Sequence, residues 1–465
     1  MKCDIKKSII HGKITCPPNK SYTHRAIFLA SLAIDKSIIK NILRSGDTNA
    51  TINACKNFGV EIKDVGDDIT VTSARELKLQ NNTIDAANSG TTIRIAAAIS
   101  ALANDKIVLT GDSSLKKRPM QPLLDALESL GAKCSSDNGS PPISVAGMIK
   151  GGEVKIPGNV SSQFISALMI TAPKLENGLI LNIQGKLVSK PYVDATIAMM
   201  EKFGAKVETK TPYKKYIIPE QNYKATTLTI PSDFSSLALL LSAAVLLGED
   251  LSIQISTGSM PQADEAIIDI LEIMGVVITL DKNVIKIKSP EKLDGGKFDL
   301  SDSPDLIPAI AILALKASKP IEIFNVEHAR YKETDRIAVI ARELTKLGIK
   351  VVEKKDGLVL SNSDNLISTH QRIAIHGASH LFADYVVNEA SEEILKMIVL
   401  FDGNKTRYGE EFNGFTINQV LENNIQEFDN MIIFANDFAE DISRVWRENG
   451  FNGNIHNVFG YIDKN

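Results

Sequence analysis

Five times in succession the chain repeats an acidic or amide residue, an apolar helical pattern and a glycine, and this repeat constrains the fold more than any other feature. The segments are Asp47 to Gly59 (DTNATINACKNFG), Gln121 to Gly131 (QPLLDALESLG), Asp194 to Gly204 (DATIAMMEKFG), Asp264 to Gly275 (DEAIIDILEIMG) and Asp335 to Gly348 (DRIAVIARELTKLG). Apolar residues recur at three- and four-residue spacing in each, and the closing Gly suits a left-handed helix cap. Short β-branched runs follow, as at Val60-Glu61-Ile62, Val276-Val277-Ile278 and Ile349-Lys350-Val351-Val352. A second, more apolar helix precedes each segment and opens on polar residues: Lys20-Ser21, Ser89-Gly90-Thr91, Ser161-Ser162-Gln163, Ser235-Ser236 and Ser303-Pro304-Asp305. These openings stand about 70 residues apart, so the chain is five copies of a unit with two helices and intervening strands. By that spacing a sixth unit should open near residue 373, and it is missing. Ile373 to Ile375 reads instead as a strand running into a turn at Gly377, followed by a helix from Ala383 to Leu395. Strands at Met397 to Phe401 and Met431 to Ala435, a helix through Trp446 and a last strand near Val458 complete a parallel α/β module. The polar stretch SNSDN, residues 361–365, marks the boundary before it.

Composition narrows the class without naming a function. With 465 residues, 44% hydrophobic and 23% charged, the chain has material for about two to four globular domains and is neither fibrous nor disordered. Its longest apolar stretch, Leu237 to Leu247, falls short of the ~18–20 residues that cross a bilayer, and the first seven residues lack a signal-peptide apolar run. A cytoplasmic protein is expected. Cys3, Cys16, Cys55 and Cys134 are far apart, with no CxxC, so reduced, mostly buried thiols are expected rather than a zinc site or a disulfide framework. A net charge of -4 without a basic block argues against nucleic acid, while leaving room for cations gathered inside a cleft.

The polar helix openings are where chemistry can reside. A helix N-terminus presents unpaired N–H groups and the positive end of its dipole, so several converging ends make an anion site; Ser, Thr and Asp are also simply good N-caps. With Ser21 as an N-cap, Ser21 and Arg25 share one face beside Lys20 and could hold a phosphate or carboxylate. Arg118 follows Lys116 and Lys117 and precedes Pro119, which fits either an anion clamp or a solvated loop. In RYKETDR, helical geometry sets Lys332, Glu333 and Arg336 side by side, a carboxylate framed by cations and hence either a proton-transfer candidate or a surface ion-pair network. Asp305 is a lone acid at the mouth of an apolar helix, either a dipole partner or a general base.

Together the segments NKSYTHRA, NSGTTIR, KKRPMQPLLDAL, SSQFISAL, SKPYVDAT, SPDLIPAIA and HARYKETDRI resemble the enolpyruvyl transferase family over about residues 1–362. The resemblance implies an α/β fold of two similar domains built of repeated βαβαββ units that close on their substrates, here without the sixth unit. It places one domain at 1–19 and 226–364, the other at 20–225, and leaves 365–465 outside. It also implies transfer of the enolpyruvyl group of phosphoenolpyruvate to the 5-hydroxyl of shikimate 3-phosphate, with no metal or organic cofactor. Lys20, Gly90, Arg118, Gln163 and Arg336 are then expected at phosphoenolpyruvate. Ser21, Arg25, Ser161, Ser162, Gln163, Ser189, Tyr192, Asp305 and Lys332 are expected at shikimate 3-phosphate. Asp305 takes the hydroxyl proton and Glu333 serves the methylene carbon, with Lys20 also in the catalytic set. His328 stands where the family often has Asn.

The family continues with an Asp-His-Arg motif and a later Lys, both contacting phosphoenolpyruvate; here Gln371-Arg372-Ile373-Ala374 falls at that place, and Arg372 is either the equivalent residue or the start of a strand. The segments RIAIHGASHLFADYV, IVLFDGNKTRYGEEFNGFTI, FDNMIIFANDF and RVWRENGF are similar to a small Rossmann-like module of polysaccharide-biosynthesis proteins, with Gly377 in a nucleotide-type turn and Asp402 placed for a ribose. The expected partners are the two substrates, with no nucleic acid or membrane, on a monomer, and a nucleotide or protein for the C-terminal module. Alternatives are another phosphorylated sugar-like acceptor, or a non-catalytic anion-binding or interaction scaffold.

Overall fold

The computed structural model describes residues 10–73, 77–258, 260–362, 372–376, 398–401, 411–412, 415–418, 428–433, 439–448, 451 and 454–457. Strand β1 (Ile10–Thr15) leads into α1 (Lys20–Leu32), β2 (Ala33–Ile34), β3 (Lys36–Lys40), α2 (Gly46–Asn57), β4 (Glu61–Val65) and β5 (Asp68–Thr72). The second unit is β6 (Thr83–Asp85), α3 (Gly90–Ser100), β7 (Ile107–Thr110), α4 (Gln121–Ser129), β8 (Lys133–Asp137) and β9 (Ser140–Ala146). The third is β10 (Gly152–Pro157), α5 (Ser162–Thr171), β11 (Leu179–Gln184), α6 (Pro191–Lys202), β12 (Glu208–Thr211) and β13 (Lys215–Ile218). After β14 (Tyr223–Lys224) and β15 (Thr227–Thr229) come α7 (Phe234–Leu247), β16 (Gly248–Gln254), α8 (Ala266–Ile273), β17 (Val277–Asp281) and β18 (Val284–Lys288). The fifth unit is β19 (Gly296–Asp299), α9 (Ile307–Ile312), β20 (Ile321–Phe324), α10 (Arg336–Lys346), β21 (Ile349–Lys354) and β22 (Gly357–Asn362).

All five units fold to a four-stranded sheet of one order: β15-β3-β5-β4, β6-β7-β9-β8, β10-β11-β13-β12, β1-β16-β18-β17 and β19-β20-β22-β21. The first two strands of each are parallel and the others antiparallel, as a helical crossover followed by a hairpin requires. The glycines that close the outer helices have φ of 88°, 106°, 80°, 90° and 83° at Gly59, Gly131, Gly204, Gly275 and Gly348, a left-handed conformation that stops a helix without Cβ strain.

The units fill two cores. Three units pack α1, α3 and α5 at the centre of the first, where nearly every residue from Tyr22 to Leu32, Thr92 to Ser100 and Phe164 to Thr171 is buried. This explains why those helices are apolar all round while the outer ones are amphipathic. The second core holds two units, and its inner helix α7 leaves Leu239 and Leu247 about half exposed, at 54% and 52%. Each core takes one strand from the far side of the chain: β1 pairs with β16, and β15 pairs with β3. The two crossings lie together, joined by the bond from Asn19 N–H to the Pro231 carbonyl at 2.8 Å.

Behind the helix openings, His24 Nδ1 lies 2.6 Å from Thr51 Oγ1, which lies 2.6 Å from Thr92 Oγ1, and Thr92 donates to Ser89 Oγ at 2.7 Å. Burial, with Lys20 and Arg25 nearby, pushes the His24 imidazole down to about 3, so it is neutral. Between pH 6.5 and 3 the unfolded chain then binds a proton that the folded chain refuses, and stability falls as pH falls through that window. His24→Asn is expected to flatten this slope of melting temperature against pH. An unchanged slope contradicts the neutral assignment. Cys16 and Cys55 are free, buried thiols and Cys134 is a free, half-buried one.

Residues 364–465 form a second compact unit, separate from 1–363. It holds strands β23 (Arg372–His376), β24 (Ile398–Phe401), β25 (Glu411–Phe412), β26 (Phe415–Asn418), β27 (Phe428–Ile433) and β28 (Asn454–Asn457), with helix α11 (Ala439–Glu448) between the last two. The sheet order β25-β26-β24-β23-β27-β28, parallel except for β25, is that of a doubly wound fold. Arg372 opens β23, whereas Cys3, Gly377, Asp402 and the expected helix at 383–395 lie outside the described residues. Among the described residues no helix is long and apolar enough to cross a membrane.

Candidate functional site

The site lies within residues 1–363, where helix openings of the first core meet loops of the second. Asn19, not Ser21, caps α1: its side chain accepts the Tyr22 N–H at 2.8 Å, so Lys20 and Ser21 sit inside the first turn. Asn and Ser cap helices about equally well, so the sequence alone did not separate Asn19 from Ser21; Asn19 also donates to Asp233 Oδ1 at 3.1 Å and thereby links the caps of α1 and α7. Ser89 caps α3 and Ser161 caps α5, which brings Gly90, Ser161 and Ser162 to the cleft wall.

Two guanidinium groups are sunk into this wall. Arg118 is 5% exposed while its neighbours Lys116 and Lys117 point into solvent, so its guanidinium is drawn inside the wall and the segment is not a solvated loop throughout. It donates to Asn88 Oδ1 at 2.8 Å and stands 3.6 Å from Glu333. Arg94, 6% exposed, lies over the Phe164 ring at 5.0 Å and donates to Gln163 Oε1. Each keeps a buried Nε with no partner among the described residues. Burial and the neighbouring Arg118 push Arg94 down to about 10. Two adjacent cations with unmet donors concentrate positive charge in a form that suits an anion. Arg94 was not among the expected residues; the signal was a lone arginine between Ile93 and the apolar run Ile95 to Ile99.

The carboxylates face them. Arg336 donates to Asp305 Oδ1 and, at 2.8 Å, to Glu333 Oε2, so one guanidinium holds both acids. Tyr192 donates its hydroxyl to Asp305 Oδ2 at 2.8 Å. Burial works to raise the Asp305 carboxyl, but Arg336, Lys332 and Lys20 outweigh it and leave it well below the ordinary range. Glu333 follows the same balance, with burial overcome by Arg336 and Arg118, down to about 2. The helical grouping of Lys332, Glu333 and Arg336 is corrected: α10 starts only at Arg336, capped by Asp335, and Lys332 and Glu333 lie in the turn before it. Lys332 has no hydrogen bond or ion pair with the described residues and lines, with Arg94, Ser161, Ser162, Ser189 and His328, a cavity of about 20 Å³. That cavity adjoins a cleft of about 720 Å³ reached past Pro119, His328 and Tyr331. A larger groove, about 930 Å³, lies at the opposite helix ends beside Leu32, Leu102 and Lys174 and contains none of these groups.

Two expected residues are engaged elsewhere. Arg25 is 2% exposed and donates to Thr196 Oγ1 (2.9 Å), the Ser21 carbonyl (3.0 Å), Ser166 Oγ (3.3 Å) and the Tyr192 carbonyl (3.1 Å), so its charge acts from behind the wall. Lys20 leans to Asp47 at 3.6 Å with nearly half its side chain in solvent. Ser189, at φ 53°, sets its hydroxyl 3.5 Å from His328 Nε2; burial and Lys332 push that imidazole down to about 4. Gln163 Nε2 donates to Thr91 at 3.1 Å, so this amide spans the openings of α3 and α5.

A Cβ on Gly90 would stand 2.7 Å from an Arg118 terminal nitrogen and 3.2 Å from one of Arg94. Gly90→Ala is therefore expected to displace these flexible tips without unfolding the protein. It should weaken an anion held there about tenfold, the loss of roughly 1.4 kcal/mol from one charge-assisted hydrogen bond. Equal affinity in wild type and Gly90→Ala, measured by equilibrium binding, contradicts this placement.

The family model for EPSP synthase (3-phosphoshikimate 1-carboxyvinyltransferase) matches residues 5–379. The 3-phosphoshikimate 1-carboxyvinyltransferase of Nitrosopumilus maritimus is 59% identical over 366 residues, 79% of this chain and 87% of that protein. The protein of the same name from Methanosarcina mazei is 44% identical over 385 residues, 81% of this chain and 88% of its own. Among solved structures, EPSP synthase from Acinetobacter baumannii superposes with TM-score 0.64 at 26% identity, over 76% of this chain and 82% of that one. The enolpyruvyl transferase NikO from Streptomyces tendae shares the fold, with TM-score 0.58 at 15% identity over 79% and 85% of the two chains.

Proposed function

The chain belongs to the EPSP synthase (3-phosphoshikimate 1-carboxyvinyltransferase) family, and from that premise we infer how its cleft carries out the reaction. It transfers the enolpyruvyl group of phosphoenolpyruvate to the 5-hydroxyl of shikimate 3-phosphate and releases phosphate, a step in chorismate and aromatic amino acid biosynthesis. The observation that supports this cleft as the site is the pair of buried guanidinium groups with unmet donors, set opposite two carboxylates on one arginine.

In our assignment Arg118, Arg336, Lys20, Gly90 and Gln163 hold phosphoenolpyruvate, and Arg94 joins them. Ser161, Ser162, Ser189, Lys332, Ser21 and Tyr192 hold shikimate 3-phosphate, with Arg25 contributing its field from behind Ser21. Asp305 accepts the proton of the 5-hydroxyl as its oxygen adds to C2 of phosphoenolpyruvate. Glu333, ionised in the free protein and partly open to solvent, takes up a proton from water as the anionic substrates enter beside it, delivers it to C3, making a methyl group, and takes one back as the C2–O bond to phosphate breaks. Arg336, touching both acids, fixes their geometry and charge before substrate arrives, which is how a dry, preorganised site lowers a barrier. Because the methyl carbon passes through three equivalent hydrogens, reaction in heavy water should place deuterium in the vinyl group of the product, read by mass spectrometry. Product without deuterium would rule out addition followed by elimination.

The same reading takes 1–19 with 226–364 as one domain, with Thr227–Thr229 reaching across to the sheet of the other, 20–225. It takes the enzyme as a cytoplasmic monomer without nucleic-acid or membrane partners. Residues 365–465 are proposed to bind a nucleotide or a protein, supported by their doubly wound strand order, which puts a ligand crevice at the switch point between β23 and β27. Saturable calorimetric titration by a dinucleotide supports the first and its absence removes it.

A further inference from the structure

We propose that the proton removed from the attacking hydroxyl does not rest on Asp305 but passes through the Tyr192 phenol to Asp264, a buried carboxyl behind the site. The proposal rests on enolpyruvyl transfer as the reaction. The Tyr192 hydroxyl oxygen lies 2.8 Å from Asp305 Oδ2 and 3.4 Å from Asp264 Oδ2, so a single phenol bridges two acids. Asp264 is 5% exposed; its Oδ2 accepts the Ser235 hydroxyl and its Oδ1 has no hydrogen-bond partner among the described residues. A buried carboxylate with one oxygen that meets no donor is unfavourable, and neutralising the group by protonation at Oδ2 lowers that cost.

The charges around the two acids differ in sign. Asp305 faces Arg336, Lys332 and Lys20. Asp264 faces Tyr192 from α6, Asp305 from the turn before α9, and Asp233 and Ser235 from the start of α7, with no cation among those that act most strongly on it. Burial, with Asp305 and Asp233 beside it, pushes the Asp264 carboxyl up to about 7, while Asp305 is held well below the usual range. A proton shared between them therefore moves downhill to Asp264, the pattern of two carboxyls driven apart by their surroundings.

The step balances. The hydroxyl O–H bond breaks as its oxygen bonds to C2, and the proton goes to Asp305. Asp305 passes it to the Tyr192 oxygen while the phenol proton moves to Asp264 Oδ2. Tyr192 ends unchanged, Asp305 is again a carboxylate, and Asp264 is neutral. After product leaves, the proton returns through Tyr192 to Asp305 and passes from there to water in the emptied cleft. Asp264 touches no substrate; it is a positioning residue that acts through Tyr192.

Ionised Asp264 is needed at the start, so kcat/KM of the full-length protein should show an acid limb near pH 7, since kcat/KM reports groups of the free enzyme. Asp264→Asn keeps the size and the Ser235 contact. It should lower kcat about 10²-fold, leave both KM values within about threefold, and abolish that limb. Asp264→Glu should restore the limb and part of kcat. Wild-type kcat in Asp264→Asn, or a lower kcat with the limb unchanged, overturns the relay. Failure of the wild type to turn over would instead contradict the transferase reading, and the relay with it; in a protein that turns over, the free state gives a second check. A carbon-13 carboxyl titration near pH 7 that disappears in Asp264→Asn supports it, and the absence of such a titration overturns it.

Discussion

Asp305→Asn is expected to lower kcat by about 10²–10⁴-fold, the range that general acid–base catalysis supplies, with little change in the fold. The amide keeps the shape of the carboxyl, so the Tyr192 hydroxyl still finds an acceptor. What is lost is the anion that draws the proton from the 5-hydroxyl and that neutralises one side of Arg336. Shikimate 3-phosphate should keep most of its affinity, because Ser161, Ser162, Ser189 and Lys332, assigned to hold it, are untouched. Steady-state kinetics with a binding titration separates the two effects. Full turnover in Asp305→Asn, or a loss confined to KM, removes Asp305 from the role of base.

Arg336→Met is expected to do more damage, since one guanidinium serves two acids. Removing it leaves Asp305 and Glu333 without their nearest cation, and the charged forms become less favoured. Both carboxyls then titrate at higher pH, which leaves the limb set by Asp264 in place, and kcat/KM for phosphoenolpyruvate should fall at least 10³-fold at neutral pH. Breaking a fully buried pair costs about 3–5 kcal/mol; here Asp305 keeps 29% of its side chain exposed, so a loss of about 2 kcal/mol is expected in denaturant unfolding. In the parent, Glu333 is held near 2, below its unfolded value, so its contribution to stability is present above pH 4.5 and lost as pH falls toward 2. Arg336→Met should lack that part of the acid transition. Retention of both the transition and the affinity for phosphoenolpyruvate would separate Arg336 from the site.

The sequence carried the repeat because each unit obeys the same local physics: a glycine that alone tolerates positive φ, a capping side chain, and a helix whose periodicity states which face is buried. It carried Asp305, Glu333 and Arg336 as chemistry but not as a triad, since Asp305 and Arg336 are distant in the chain and the helical spacing assumed for Lys332 and Glu333 is replaced by a turn. Arg118 could not be told from a solvated lysine-rich loop until its guanidinium was seen behind Asn88. Arg94 and Asp264 were hidden for the opposite reason: one sits in an apolar helix and the other at a helix start, where such residues have ordinary structural uses. Cys16 is buried as its residue type suggests, but the partner that buries it, a sheet that β1 joins more than two hundred residues downstream, was not visible locally.

The missing sixth unit makes one measurement decisive: phosphate release by the full-length protein with phosphoenolpyruvate and shikimate 3-phosphate together and with each omitted, and the product identified by its mass. Release that requires both substrates, accompanied by the enolpyruvyl ether, is the predicted result and shows that five units with their C-terminal module suffice for the chemistry. A folded protein that binds shikimate 3-phosphate yet releases no phosphate would contradict the account.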